Sequence, residues 1–459
     1  MRLGELLPNL ASGVNAGGAI SGGRGDQVVT GFAIDHRKVA PGTIFGAFVG
    51  AKFNGEDYIA DAIANGAIAI VASPSAVASA AAVAANGVVL IEAENPRAEF
   101  ARLAAEFFRP FPEMIAAVTG TNGKTSTVEL TRQMWAMAGK AAASIGTLGV
   151  TTANDQVTTG LTTPDIVTFL SNLSGLAHEG VTHLAFEASS HGLSQHRSEG
   201  CPISIAAFTN LSRDHLDYHG TMEEYFAAKM RLFDTLLEQD GTAVIWADDA
   251  WSSRVVEIAQ ARGVRTITIG ENAGDIRLVS RAPTQLGQLL TLEIAGQMHK
   301  LALPLIGAYQ ANNALTAAGI VLASGGKLDE VLANAARLQP VRGRLERAVI
   351  CRSGAPVYVD YAHTPDALAA AAAAMRPHTA GRLITVFGAG GDRDKGKRPE
   401  MGAVAVQTSD IVIVTDDNPR SEDAATIRAE IMAGTGAGGA TEIGDRRAAI
   451  AHAIGLSQA

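Results

Sequence analysis

The chain has 459 residues, enough for about three domains at ~150 residues each. Hydrophobic residues make up 47% and charged residues 18%, a balance that excludes a disordered chain. Against 46 Asp and Glu stand only 37 Lys and Arg, so no basic excess exists to neutralise a nucleic-acid backbone. Two cysteines, Cys201 and Cys351, cannot form a disulfide framework and suit a reducing cytoplasm. Glu5 and Asn9 follow Met1 with no basic start and no apolar run, a pattern not expected of a signal peptide. The most apolar stretch, Ala67 to Ile91, is broken by Ser73, Pro74, Asn86 and Gly87, so no membrane span is expected.

Short aliphatic or β-branched runs recur along the chain, each followed by a segment of helical period. They are Ala67–Ala72, Val88–Glu92, Met114–Val118, Thr182–Glu187, Ala243–Trp246, Thr266–Ile269, Val357–Val359, Leu383–Phe387 and Ile411–Val414. Apolar strands alternating with helices predict an α/β protein whose parallel sheets are covered on both faces. Two proline-bearing connectors, Arg109-Pro110-Phe111-Pro112 and Gln339-Pro340-Val341, divide the series into domains of 1–110, 111–338 and 339–459.

The sharpest motif is Thr119-Gly-Thr-Asn-Gly-Lys-Thr-Ser126, between the run from Met114 and a helix with apolar residues at Val128, Met134 and Met137. Glycines let backbone N–H groups close around phosphates, and a helix N-terminus adds favourable partial charge. Lys124 can then reach the outer phosphates and the Thr125 hydroxyl can bind Mg²⁺. Val118 stands where the usual pattern has glycine, so the loop is a variant. It predicts nucleotide binding and leaves the use of the phosphate open.

Downstream, Glu187 ends a predicted strand, where ligands of open α/β sheets gather. It suits Mg²⁺ through oxygen, with capping of a helix as the lesser alternative. The segment Phe208-Thr-Asn-Leu-Ser-Arg-Asp-His-Leu-Asp-Tyr-His-Gly220 concentrates carboxylate and imidazole groups after an apolar strand, which points to a site. Lys229 lies on a helix whose apolar face is Tyr225, Phe226, Met230 and Phe233, and taken alone it is expected to be a solvated side chain. In the last third, Asp360-Tyr-Ala-His-Thr-Pro365, the glycine turn Gly388-Ala-Gly-Gly-Asp392 with its charged continuation to Pro399, and Asp416-Asp-Asn-Pro-Arg420 each close a predicted strand. The arginines suit bidentate capture of a carboxylate, although a charge run can also be a solvated face.

Together Thr119–Thr125, Glu187-Ala-Ser-Ser-His-Gly-Leu, Asn210–Gly220, Asp360–Pro365 and Gly391-Asp-Arg-Asp-Lys-Gly-Lys-Arg-Pro399 resemble the Mur ligases, over essentially the whole chain and in that family's order. The resemblance implies a small N-terminal α/β domain that binds a UDP-muramoyl substrate, a central P-loop-type parallel-sheet ATPase domain, and a C-terminal Rossmann-like α/β domain. It implies that Gly120, Thr121, Asn122, Gly123, Lys124, Thr125 and Ser126 hold ATP phosphates, that Asn313 touches the adenine, and that Arg344 and Asp360 reach ATP from the third domain. Thr125, Glu187 and His215 would hold Mg²⁺ together with a carbamylated Lys229, and Lys124, Glu187, His215 and that Lys229 would be the catalytic set. Ile34, His36, Ala51, Lys52, Phe53, Thr162, Thr163, Ser189, Gln195 and Arg197 would grip the UDP-muramoyl-dipeptide. Arg393, Asp417, Asn418, Pro419 and Arg420 would take the incoming amino acid.

The Asn-Pro-Arg form resembles members that select meso-diaminopimelate. The expected reaction therefore adds meso-2,6-diaminopimelate to the D-glutamate γ-carboxylate of UDP-N-acetylmuramoyl-L-alanyl-D-glutamate through an acyl phosphate, in peptidoglycan biosynthesis, by a cytoplasmic monomer. Departures from the family pattern are His36 in place of serine, Ala51-Lys52-Phe53 at the other uridine contact, and Tyr309-Gln310 for an aromatic-Asn pair. The family also continues past the position of Ala459 with a strand and a Gly-Lys-Gly-His-Glu segment, so the third domain is expected to lack part of its amino-acid clamp. Alternatives are a folylpolyglutamate-synthase-like ligase and a nucleotide-binding relative with impaired catalysis.

Overall fold

The computed structural model describes residues 1–7, 14–15, 18–21, 25–50, 53–74, 83, 86–158, 160–284 and 287–458. These form two compact units. The first comprises Met1–Glu113 with Thr158–Thr182 and Ala188–Pro202. Its 6-stranded sheet runs in the order Val14–Asn15, Gly18–Ser21, Val89–Glu92, Ala67–Ala72, Thr43–Gly46, Gly31–Ala33. The last four strands pair in parallel, as their unbroken apolar character predicts, and the first two join antiparallel. Phe45, Ile59, Ile70 and Leu90 centre its core. The helix Pro96–Phe108 starts where Pro96 needs no partner for an N–H and Asn95 Oδ1 accepts the Ala98 N–H at 3.1 Å. It packs on the helix Ile166–His178.

The second unit comprises Met114–Val157, His183–Glu187 and Ile203–Ala459. Its 11-stranded sheet has the order Gln156–Val157, Gly149–Thr151, Ala142–Gly146, His183–Glu187, Met114–Thr119, Ile203–Phe208, Leu237–Trp246, Arg265–Gly270, Ile276–Thr284, Gly287–Ile294, Gln297–Leu303. From Ala142–Gly146 to Ile276–Thr284 every neighbouring pair is parallel; at both ends the sheet continues antiparallel. Small residues such as Ala116, Ala185 and Ala207 let the helices Lys124–Met137 and Ala308–Ala323 lie close on the sheet, where Val118, Leu130, Trp135, Val244 and Ile269 close the core. The chain then forms a 3-stranded parallel sheet, Ile384–Phe387, Ile411–Val414 and Thr441–Glu442, around Phe387, Met401, Val412 and Ile431.

Each of the nine runs read from the sequence lies on a strand. One was expected in the wrong company. Pro356–Val359, which contains Val357–Val359, pairs antiparallel with Glu346–Ile350 in a separate 2-stranded ribbon, because only a short turn separates the two and a parallel pairing needs a long crossover. Among the described residues no helix is long and apolar enough to cross a membrane.

Candidate functional site

The strand Met114–Thr119 delivers the chain into a loop that Gly120 (φ 145°) and Gly123 (φ 88°) turn before the helix Lys124–Met137 begins. A Cβ on Gly123 would overlap Asn313 Oδ1, so the glycine is required by space as well as by backbone angle. The loop is laced to the segment that follows the neighbouring strand Ile203–Phe208. Thr121 N–H donates to Asn210 O at 2.8 Å and Asn122 N–H to Asn210 Oδ1 at 2.9 Å. In return Thr209 Oγ1 donates to Asn122 O at 2.6 Å and Asn210 Nδ2 to the same oxygen at 3.1 Å.

Two lysines converge on one carbonyl. Lys124 Nζ donates to Gly120 O and Thr121 O, each at 2.8 Å, and Lys229 Nζ donates to Gly120 O at 2.8 Å. This overturns the solvated reading of Lys229, whose exposure is 1%. Lys229 stands four residues after Tyr225 on the helix Met222–Arg231, so it shares that ring's buried face, with its ammonium 4.4 Å from the ring centroid. Burial, and then the cation of Lys124, push the Lys229 amine well below the ordinary lysine value of 10.5. Burial lowers Lys124 too, against the opposing pull of Glu187 and Asp214. Those two carboxylates therefore both act electrostatically on the Lys124 amine.

Glu187 ends the strand His183–Glu187, buried at 2% exposure, and accepts the Thr147 N–H at 2.7 Å. His215 has left-handed backbone (φ 55°) and lies 3.4 Å from Asp214 Oδ2, which His363 approaches at 3.8 Å. Burial pushes the Asp214 carboxyl up, but His363, His215 and Lys397 outweigh it and hold the group well below the usual carboxylate range. Arg213 pairs with Asp394 at 3.8 Å, so the same loop meets two strand ends of the last third of the chain.

Arg344 crosses to the phosphate loop, with Nη2 donating to Thr125 Oγ1 at 2.9 Å and the guanidinium 4.6 Å over the Tyr361 ring. Asp360 Oδ2 accepts Leu345 N–H at 2.8 Å and the Tyr309 hydroxyl at 3.1 Å. Gln310, where the family pattern has Asn, donates from Nε2 to Arg344 O at 2.8 Å. Ser126 and Asn313 are buried beside this loop. Gly120 to Ser126, Lys229, Asn313, Arg344 and Asp360 thus share one region, and Glu187 and Asp214, which adjoins His215, act on its lysines. Among the described residues no three His, Cys, Asp or Glu side chains cluster so as to hold a metal. The side chains of this region that offer a hard oxygen of the kind Mg²⁺ prefers are the Glu187 carboxylate and the Thr125 hydroxyl.

In the first unit, Thr163 and Ser189 exchange a hydroxyl hydrogen bond at 2.9 Å. Arg197 donates to Thr163 O at 2.8 Å and, from Nη2, to Gln195 Oε1 at 2.7 Å. Thr162 is half-buried next to them. His36 stacks on Tyr58 with centroids 4.3 Å apart, while Ile34 and Phe53 are 36% and 73% exposed. Ala51 and Lys52 lie outside the described residues. In the last sheet, the turn after Ile384–Phe387 meets the turn after Ile411–Val414: Gly391 N–H donates to Asn418 O at 2.9 Å, and Arg420 Nη1 to Gly391 O at 2.5 Å. Arg393 donates to Asp392 O at 3.0 Å, and Asp417 and Asn418 are exposed beside Pro419. Sequence reasoning assigned no role to Thr209, Asn210, Asp214 or His363, although all four stand inside the motifs it singled out.

This phosphate loop on a parallel sheet, with a second α/β module reaching into it, is the arrangement of a nucleotide-dependent ligase. The chain belongs to the Mur ligase family: its residues 28–109 match the Mur ligase family catalytic domain, 118–321 the Mur ligase middle domain, and 343–459 the Mur ligase glutamate ligase domain. It is 59% identical to a UDP-N-acetylmuramoyl-L-alanyl-D-glutamate-2,6-diaminopimelate ligase of Zymomonas mobilis over 94% of this chain and 86% of that one. The enzyme of the same name from Agrobacterium fabrum is 49% identical over 93% and 86%. A solved structure of a ligase of that name superposes with a TM-score of 0.72 at 31% identity, covering 100% of this chain and 91% of the other. Mycobacterium tuberculosis folylpolyglutamate synthase, complexed with ADP and AMPPCP, shares the fold at 21% identity and a TM-score of 0.64, over 78% of this chain and 88% of that one.

Proposed function

We propose that the protein is an ATP-dependent ligase that adds meso-2,6-diaminopimelate to the D-glutamate γ-carboxylate of UDP-N-acetylmuramoyl-L-alanyl-D-glutamate, a step of peptidoglycan biosynthesis. Its relatives at 59% and 49% identity carry that activity in their names. The observation that carries the chemistry is the pair of lysines on the Gly120 carbonyl, Lys229 buried and Lys124 half-buried, with Arg344 bonded to Thr125. The folylpolyglutamate-synthase alternative has the shared fold alone behind it.

The reaction has two steps. The γ-carboxylate attacks the γ-phosphorus of ATP and ADP leaves, giving an acyl phosphate. The amine of diaminopimelate then attacks the acyl carbon, phosphate leaves, and the amine gives up its proton as the amide forms. Phosphoryl transfer needs positioning and charge neutralisation more than covalent chemistry. Gly120 to Ser126 hold the phosphates, Lys124 neutralises the group in flight, and Arg344 and Asp360 bring the third domain to the nucleotide, with Asn313 at the adenine. Bound Mg²⁺ supplies Lewis-acid neutralisation, and Thr125, Glu187, His215 and the Lys229 carbamate are the residues to hold it. The low amine pKa of Lys229 supports the carbamate, because only a neutral amine attacks carbon dioxide.

Thr162, Thr163, Ser189, Gln195 and Arg197 take the dipeptide, and Ile34, His36, Ala51, Lys52 and Phe53 the uridine end. Arg393 and Asp417 to Arg420 receive diaminopimelate, whose second carboxylate calls for a cation. Three domains, 1–110, 111–338 and 339–459, each bring one substrate. The enzyme is proposed to work in the cytoplasm, where its co-substrate ATP is available, and to act as a monomer. Substrate labelled with ¹⁸O in the γ-carboxylate tests the first step. Transfer of one label to the released phosphate is expected, and unlabelled phosphate would rule out the acyl phosphate.

A further inference from the structure

Two non-glycine residues of the last parallel sheet hold left-handed backbone, Asp392 (φ 52°) and Arg420 (φ 50°). That conformation costs on the order of 1 kcal/mol or more and persists only where the surroundings over-determine it. One adjoins the proposed amino-acid site and the other is part of it: Asp392 precedes Arg393, and Arg420 belongs to the site itself.

What over-determines Asp392, and ties it through Ser421 to the turn that carries Arg420, is a network outside the proposed ligand residues. Asp392 N–H donates to Glu422 Oε1 at 2.6 Å, and Ser421 Oγ donates to Asp392 Oδ1 at 2.7 Å. Glu422 also accepts Arg398 Nη1 and Nη2, each at 2.9 Å, and pairs with Lys395 at 3.3 Å. Arg398 is 0% exposed, reaches Glu430 at 2.6 Å, and donates to Gly390 O at 3.3 Å. Burying a guanidinium costs several kcal/mol, which ordinary packing could avoid with an apolar side chain. Its planar fork meets a carboxylate in one bidentate geometry, so it fixes register in a way an apolar side chain cannot.

We propose that Glu422 and Arg398 are positioning residues of the amino-acid site: they lock the glycine turn and the Asn-Pro-Arg turn together, hold Arg393 and Arg420 at the spacing that accepts diaminopimelate, and so set its selection over lysine. This rests on the assignment of that pair of turns to diaminopimelate.

Initial rates against each substrate test it, with the melting temperature as control, in Glu422→Gln and in Ser421→Ala. Glu422→Gln keeps the shape and loses the charge; Ser421→Ala removes one hydroxyl at the surface and spares the fold. Glu422→Gln should raise KM for meso-diaminopimelate about tenfold and shrink its preference over L-lysine, with KM for ATP and for the UDP-substrate within about twofold. Ser421→Ala should move the same KM about threefold. An unchanged KM for diaminopimelate overturns the proposal, and so does a rise in all three KM values together with a lower melting temperature. If Glu422→Gln does not fold, Ser421→Ala decides alone. Wild-type enzyme without diaminopimelate-dependent turnover would instead overturn the assignment of function, before any variant is made.

Discussion

Lys229 donates to a neutral carbonyl and lies within reach of another cation, so as an ammonium it destabilises the fold that buries it. Lys229→Met should therefore abolish turnover and raise the melting temperature by about 2–4 °C, measured in buffer free of carbon dioxide. The pH dependence has a fixed sign. The folded state holds its amine below 10.5 and the unfolded state does not, so the unfolded chain binds more protons and the penalty is complete below the folded pKa. Wild-type stability should gain on the methionine variant as pH rises toward 10.5, and a constant difference would refute the buried-cation account. Lys229→Ala should lose activity and recover part of it with acetate or propionate, whose carboxylate would stand in for the proposed carbamate. Activity like the wild type's would return Lys229 to a merely structural role.

At the scale of elements, the phosphate loop depends on a close approach that no longer side chain allows. Gly123→Ala combines a left-handed backbone with overlap on Asn313, and it should cut kcat/KM for ATP by at least about tenfold while the helix Lys124–Met137 remains folded by circular dichroism. A wild-type value would mean that loop and helix Ala308–Ala323 separate freely. The phosphate loop itself was legible, since strand, glycine turn and helix follow one another within a few residues. So were the parallel strands, whose apolar runs need no partner to be recognised. The antiparallel run from Ile276–Thr284 to Gln297–Leu303 was not, because its exposed positions interrupt the apolar signal and its order in the sheet depends on distant neighbours. The burial of Lys229 was hidden for a related reason: a helix face shows which side chains align, and the Gly120 carbonyl that receives this one is 109 positions away. Arg398 stands in a charged run, and the carboxylates that set it apart, Glu422 and Glu430, come from 24 and 32 positions further along the chain.

At the scale of the whole molecule, the second unit joins the loop carrying His215 to the last third of the chain through Arg213 with Asp394 and Asp214 with His363. Arg213 is 58% exposed on its side chain, so that pair is worth at most about 1 kcal/mol. Arg213→Glu should raise KM for diaminopimelate by no more than about fivefold, less at high salt, and adding Asp394→Arg should restore most of the loss. No recovery in the double variant would show that the two charges act separately. The proposed function brings a nucleotide, a carbamate and two further substrates to one chain, so that ATP cleavage is coupled to the addition of a single amino acid. Phosphate release from UDP-N-acetylmuramoyl-L-alanyl-D-glutamate, ATP and Mg²⁺ tests that coupling most directly. Release should start on addition of meso-diaminopimelate and fail with L-lysine; release indifferent to the amino acid, or ATP binding with no turnover, would contradict coupling of ATP cleavage to that addition.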